Sequence, residues 1–108
     1  MARTAKRLAG PAQVSNAAAT KYTVPALTKT ILRHIHISNP SGSAVTFTLS
    51  IGADAAAVRL YDAFSIPANS VRDDYWYVIV DAAEIVQAFA GTNNILTLTI
   101  DGDEITLG

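Results

Sequence analysis

Between Val45 and Ile51 the apolar residues Val45, Phe47, Leu49 and Ile51 alternate strictly with Thr46, Thr48 and Ser50, and this constrains the fold more than any other feature. Successive side chains of a β-strand point to opposite faces, so a period of two makes a ribbon with one apolar face and one threonine-lined, wet face. Such a ribbon needs a second layer to cover its apolar side, which points to two packed sheets.

From Lys21 onward the same period recurs between turn-forming clusters. Tyr22 to Val24 is a short strand stopped by Pro25. Lys29 to Ser38 follows, with Ile31, Arg33, Ile35 and Ile37 expected on one face and Leu32, His34, His36 and Ser38 on the other. Asn39-Pro40-Ser41-Gly42-Ser43 reads as a turn, Gly52 to Ala57 as a small-residue loop, and Val58, Leu60, Phe64 and Ile66 as a less regular apolar run around Asp62. After the turn at Pro67-Ala68-Asn69-Ser70, Tyr75 to Val80 has aromatic or β-branched side chains on both faces, so both faces are expected to be covered. Ile85 to Phe89 precedes a loop at Gly91-Thr92-Asn93-Asn94, and Ile95 to Ile100 is expected to join Glu104 to Leu107 through an Asp101-Gly102-Asp103 hairpin. The expected fold is therefore all-β, a β-sandwich or jelly roll of about eight short antiparallel strands over residues 21–108.

Residues 1–20 differ from the rest. They are rich in Ala, carry the basic cluster Arg3, Lys6 and Arg7, are interrupted at Gly10-Pro11, and end in a run of small and polar residues at Thr20. They are expected to form an extended N-terminal arm outside the core. About 18 extended residues reach on the order of 60 Å, enough to cross a neighbouring subunit.

The chain is 50% hydrophobic but only 16% charged, against about 25% charged in an average soluble domain. Apolar surface must then be crowded into the core or covered by partners, and partners are the favoured expectation. All six cations up to Arg33 precede the first acid, Asp54, and from Asp54 onward nine acids face only Arg59 and Arg72. That asymmetry suggests charge complementarity between neighbouring copies, with ordinary solvated surface charge as the alternative. The absence of cysteine excludes disulfides, thiolate metal sites and cysteine nucleophiles. No apolar run is long enough for a membrane span. Gly10, Pro11, Gln13, Ser15 and Asn16 interrupt what a secretion signal would need as a continuous apolar core, so neither membrane insertion nor secretion is expected.

Few residues have the spacing of a reactive site. His34 and His36, two apart on a strand, share a face as metal ligands do, but no third His or Cys exists to complete the set. Asp101, Asp103 and Glu104 lack the ligand spacing of a calcium loop. Asp73 and Asp74 are adjacent, so on a strand they point to opposite faces and cannot act as a paired acid and base. No nucleophile elbow, phosphate-binding loop or dinucleotide fingerprint is present. The expectation is a non-enzyme with no catalytic, cofactor or metal site. Arg3, Lys6 and Arg7 lack interleaved aromatics, which disfavours direct DNA contact and leaves them as candidate protein contacts. Tyr75, Trp76 and Tyr77 form the aromatic cluster, with Trp76 expected to bury on one side and the two tyrosines on the other as candidate interface residues.

Taken together, Tyr22-Thr23-Val24-Pro25, Ile35-His36-Ile37-Ser38-Asn39, Phe47 through Asp54 and Ser65-Ile66-Pro67-Ala68-Asn69-Ser70 resemble small structural proteins of tailed bacteriophages, along about residues 21–107. The resemblance implies a virion protein of the tail, neck or head exterior, assembled in the host bacterial cytoplasm and working without an active site. The expected partners are copies of itself, as a homo-oligomer, and other virion proteins. The leading expectation places it in the tail or head-to-tail region, with residues 1–20 bridging subunits. The alternatives are a capsid decoration protein, or a carbohydrate-binding β-sandwich displaying Tyr75, Trp76 and Tyr77 to a host glycan; a buried Trp76 would count against the last.

Overall fold

The computed structural model describes residues 2–106, so Met1 of the expected arm, Leu107 of the expected last strand, and Gly108 lie outside the described residues. The strands are β1 (Ala2–Gln13), β2 (Ala19–Thr23), β3 (Thr28–Asn39), β4 (Val45–Ile51), β5 (Arg59–Ile66), β6 (Ser70–Val80), β7 (Ile85–Ala90) and β8 (Thr97–Thr106), with one 3-10 turn at Ala56–Val58. They form two four-stranded antiparallel sheets with the orders β1-β8-β3-β6 and β2-β7-β4-β5. β1 lies against β8, β2 against β7, β3 against β6 and β4 against β5. The chain is thus one long hairpin rolled over itself, and the β3·β8 and β4·β7 ladders join the pairs into sheets. That nested pairing is the jelly-roll form of the β-sandwich.

The core lies between the sheets. Leu32, Ile35, Ile37, Leu98 and Ile100 of one sheet meet Phe47, Leu49, Ile66 and Val86 of the other, all essentially inaccessible to water. Full burial of each such side chain contributes roughly 1.5–3 kcal/mol relative to exposure. β4 realises the apolar half of its alternation, with Val45, Phe47 and Leu49 in this core, but the expected wet face needs correction, because Thr48 and Ser50 are buried and only Thr46 is exposed.

Three further local readings need correction. In β3, Leu32 faces Gly102 and His34 faces Asp101, so Arg33 is an extra residue in the β3·β8 ladder. This bulge shifts the phase: Leu32, Ile35 and Ile37 all join the inter-sheet cluster, whereas Ile31, though buried, lies outside that cluster. In β5, Phe47 faces Phe64 and Leu49 faces Tyr61, so β5 spends one residue more than β4 between these pairs. Ala63 takes the left-handed conformation there (φ 50°) and its N–H donates to Thr48 Oγ1 at 3.0 Å, which lets Tyr61 and Phe64 both pack against the core. Finally, Asp101-Gly102-Asp103 is no hairpin. It lies inside β8, a ten-residue strand flanked by β1 and β3. Gly102 is needed for close approach, since a Cβ there would stand 2.0 Å from the Ile31 carbonyl oxygen.

The expected N-terminal arm is also corrected. Ala2 to Gln13 pair with β8 from Thr106 to Thr97, and β2 begins at Ala19, so residues 2–20 complete both sheets of the same chain. Leu8 and Val14 enter the core. The Gly10-Pro11 break does not end the strand. It coincides with register shifts between Arg7, Ala9 and Ala12, and Gly10 adopts a φ of 75° where a Cβ would collide with the Leu98 carbonyl.

Candidate interaction surface

The outer face of the β1-β8-β3-β6 sheet gathers most of the residues singled out in the sequence. Because β1 lies along β8, the basic start of the chain meets its acidic end. Arg3 donates to Asp103 Oδ2 through Nη2 (2.7 Å) and Nε (3.2 Å), Arg33 Nη1 reaches the same oxygen at 3.1 Å, and Lys6 Nζ lies 3.2 Å from Glu104 Oε1. Arg7 stands opposite Asp101 in the ladder. The charge asymmetry along the sequence is therefore largely absorbed within one chain, and the arrangement does not present Arg3 and Lys6 as free cations for phosphate. Tyr22 also donates to Glu104 and contacts Thr30; burial and then the neighbouring carboxylate push its phenol up to about 12.

At the centre of the face, one carboxylate serves both histidines. Asp73 Oδ1 lies 2.9 Å from His34 Nε2 and 2.6 Å from His36 Nδ1, while His34 Nδ1 contacts Asp101 Oδ2 at 3.3 Å. The row ties β8, β3 and β6 together. Desolvation lowers the His34 pKa, but the hydrogen bonds to Asp73 and Asp101 outweigh it and the net shift is upward. The bonds from His36 and His34 hold the Asp73 carboxyl below its usual range. The sequence shows no carboxylate beside these histidines, because Asp73 and Asp101 come from other strands and only the strand order brings them in. Three of the four imidazole nitrogens contact carboxylates, and among the described residues no group of three or more His, Cys, Asp or Glu side chains could hold a metal ion. Chemically the row can share a proton among its members and clamp three strands.

The aromatic cluster divides by strand parity. Tyr75 (80% exposed) and Tyr77 (65% exposed) lie on the outer face. The Tyr75 ring stacks on His34, with centroids 4.7 Å apart, and the Arg33 guanidinium sits 5.8 Å from the Tyr77 centroid. Trp76 turns inward against the core and lies 5.6 Å from the Tyr61 ring. With Trp76 turned away, the three rings do not form one coplanar platform. Val71 and Ile79 are also exposed, so the outer side of β6 is an apolar stripe broken only by Asp73. Behind it, Leu60 and Tyr61 of β5 and Trp76 and Val78 of β6 line a shallow groove at the open side of the sandwich. Asp74, also in that groove, accepts from Tyr61 OH and pairs with Arg72 at 3.1 Å.

The geometry defines an all-β jelly-roll domain with a polar, internally paired sheet face and an apolar edge strand. No family model matches the sequence, and no curated protein sequence matches it. Solved structures do match the fold. A chain from the structure of infectious bursal disease virus Gx strain superposes with a TM-score of 0.53 at 8% identity, over 99% of this chain and 32% of that one. The present chain thus spans about a third of that protein's length. The Tobacco streak virus coat protein, solved as a dimer, superposes with a TM-score of 0.54 at 11% identity, over 98% of this chain and 86% of that one.

Proposed function

We propose that this chain is a non-enzymatic structural protein of a virus particle, and that it works by packing against copies of itself and other particle proteins. The observation that carries this reading is the outer side of β6, where Val71, Tyr75, Tyr77 and Ile79 are exposed together on one strand, whereas the other exposed large apolar residues, Leu27, Val58 and Leu60, lie outside it. A row of exposed apolar side chains, here broken only by Asp73, marks a protein contact on a small domain. The likeness of fold to a viral coat protein and to a chain of a second virus supports the particle setting. The segments resembling tailed-bacteriophage proteins support the tail or head-to-tail region, with assembly in the bacterial cytoplasm.

A second placement, as a decoration protein on the capsid exterior, is favoured by the coat-protein likeness. The carbohydrate-binding reading loses its main support, because Trp76 packs inward. Immunogold labelling of purified particles separates the placements. Label at the tail or its junction with the head supports the first, label spread over the head supports the second, and particles free of label overturn both.

A further inference from the structure

We propose that β6 is the docking strand for a second copy of this chain, the two β6 strands pairing antiparallel about a two-fold axis that passes Tyr75. The proposal names the contact for the self-packing proposed above and rests on that reading. It follows from a comparison of the four edge strands, β1, β6, β2 and β5.

An edge strand presents unpaired backbone groups, and proteins that stay apart blunt such edges with proline, lysine, bulges or short length. β1 carries Lys6 and Pro11 and shifts register twice. β2 is only five residues long and contains Lys21. β5 also shifts register twice and includes the left-handed Ala63. β6 is eleven residues long, contains no proline, lysine or glycine, and shifts register only once, where Trp76 and Tyr77 together lie opposite Arg33. Its charges are already matched inside the chain: Asp73 by His34 and His36, and Asp74 by Arg72 and Tyr61. Among the described residues its backbone ladder runs to β3 alone. A strand of this length extends about 35 Å, and joining two of them makes a continuous sheet through both copies.

The sequence of β6 selects one register. With Tyr75 on the axis, Val71 of each copy faces Ile79 of the other, the two Tyr75 rings meet, and Asp73 faces Tyr77. The Arg33 guanidinium over that Tyr77 ring then attracts Asp73 of the second copy. An axis at Asp73 or Asp74 would set like charges face to face. An axis at Trp76 would set Asp73 against Ile79 and Val71 against Asp81. Only the Tyr75 axis matches apolar with apolar at both ends and opposes no like charges. The groove between β5 and β6, with Leu60 at its rim, lies on the same side and would close against its symmetry mate.

The absence of cysteine makes the test direct, since Tyr75→Cys carries the only thiol. Residues directly opposed across an antiparallel pair have Cα atoms about 4.5–5.5 Å apart, within the roughly 4.4–6.8 Å that a disulfide spans. The full-length wild type is weighed by light scattering, and Tyr75→Cys is oxidised at dilute concentration beside a loop control, Thr92→Cys. The expected results are a wild-type dimer or higher even oligomer and disulfide dimers formed at least about tenfold faster by Tyr75→Cys than by Thr92→Cys. Adding Val71→Lys and Ile79→Lys, both at exposed sites, should abolish that advantage while circular dichroism stays unchanged. An oligomer in which Tyr75→Cys gains no advantage overturns the β6 contact and leaves self-packing standing. A monomeric wild type without crosslinking overturns both.

Discussion

Asn39 is almost fully buried yet leaves no polar atom unpaired. Its Nδ2 donates to the carbonyls of Ser43 (2.9 Å), Ile66 (3.0 Å) and Pro67 (3.2 Å), and its Oδ1 accepts from the Ser41 N–H (3.0 Å) and hydroxyl (2.7 Å). One side chain therefore ties the end of β3 to both neighbouring turns. Removing it strands several buried groups, so Asn39→Ala should cost about 2–4 kcal/mol in chemical denaturation. Gly102 gives a second test. Gly102→Ala drives a Cβ into the Ile31 carbonyl and should cost about 2 kcal/mol or more, whereas Gly42→Ala, with nothing within 4 Å of its Cβ, should be nearly neutral. His34 gives a third. Its pKa is raised above the ordinary 6.5, so its stabilisation is complete below about pH 6.5 and is lost as pH rises through the higher folded value. Asp73 acts at the other end: its pKa is below the ordinary 3.8, so its contribution is present above that value and lost as acid is added. The melting temperature should accordingly fall between about pH 6 and 8, and His34→Gln should flatten that slope. An unchanged slope in the variant would remove His34 from the account.

β4 and β1 mark the two extremes of what was legible in the sequence. In β4 every second residue is large and apolar, and the strand forms where its alternation says it does. β1 contains Ala, Arg, Lys, Gly and Pro, and among its described side chains only Leu8 is buried in the core, so nothing in its pattern announces a strand. Its structure comes from β8, which offers it a ten-residue edge. β8 departs from its local signal for the opposite reason, because Asp-Gly is a strong turn signal that the close backbone approach at Gly102 overrides. The two bulges at Arg33 and Ala63 were equally hidden, since a single extra residue reverses which faces are apolar. If β1 belongs to the fold, a chain starting at Thr20 should lose its cooperative melting transition and β-sheet circular dichroism. A truncated chain that melts like the full protein would restore the arm.

At the scale of the whole molecule, the low charge and high apolar content find two outlets, one in the core between the sheets and the other in the exposed row along β6. The sandwich class was readable from strand count and turn spacing, but the strand order was not, and with it went the histidine–carboxylate row and the pairing of the basic start with the acidic end. The aromatic cluster was legible as a cluster. Its division into inward Trp76 and outward tyrosines followed from parity, but that the outer face of β6 lacks a cover within the chain was visible only once β6 proved to be an edge. The central proposal, a structural role in a virus particle, is tested most directly by quantitative mass spectrometry of virus particles purified from the source of this chain. The account predicts the protein in multiple copies, at a ratio to the major particle proteins that stays constant through repeated purification. Its absence from those particles, or a ratio that falls with each step, would contradict the account.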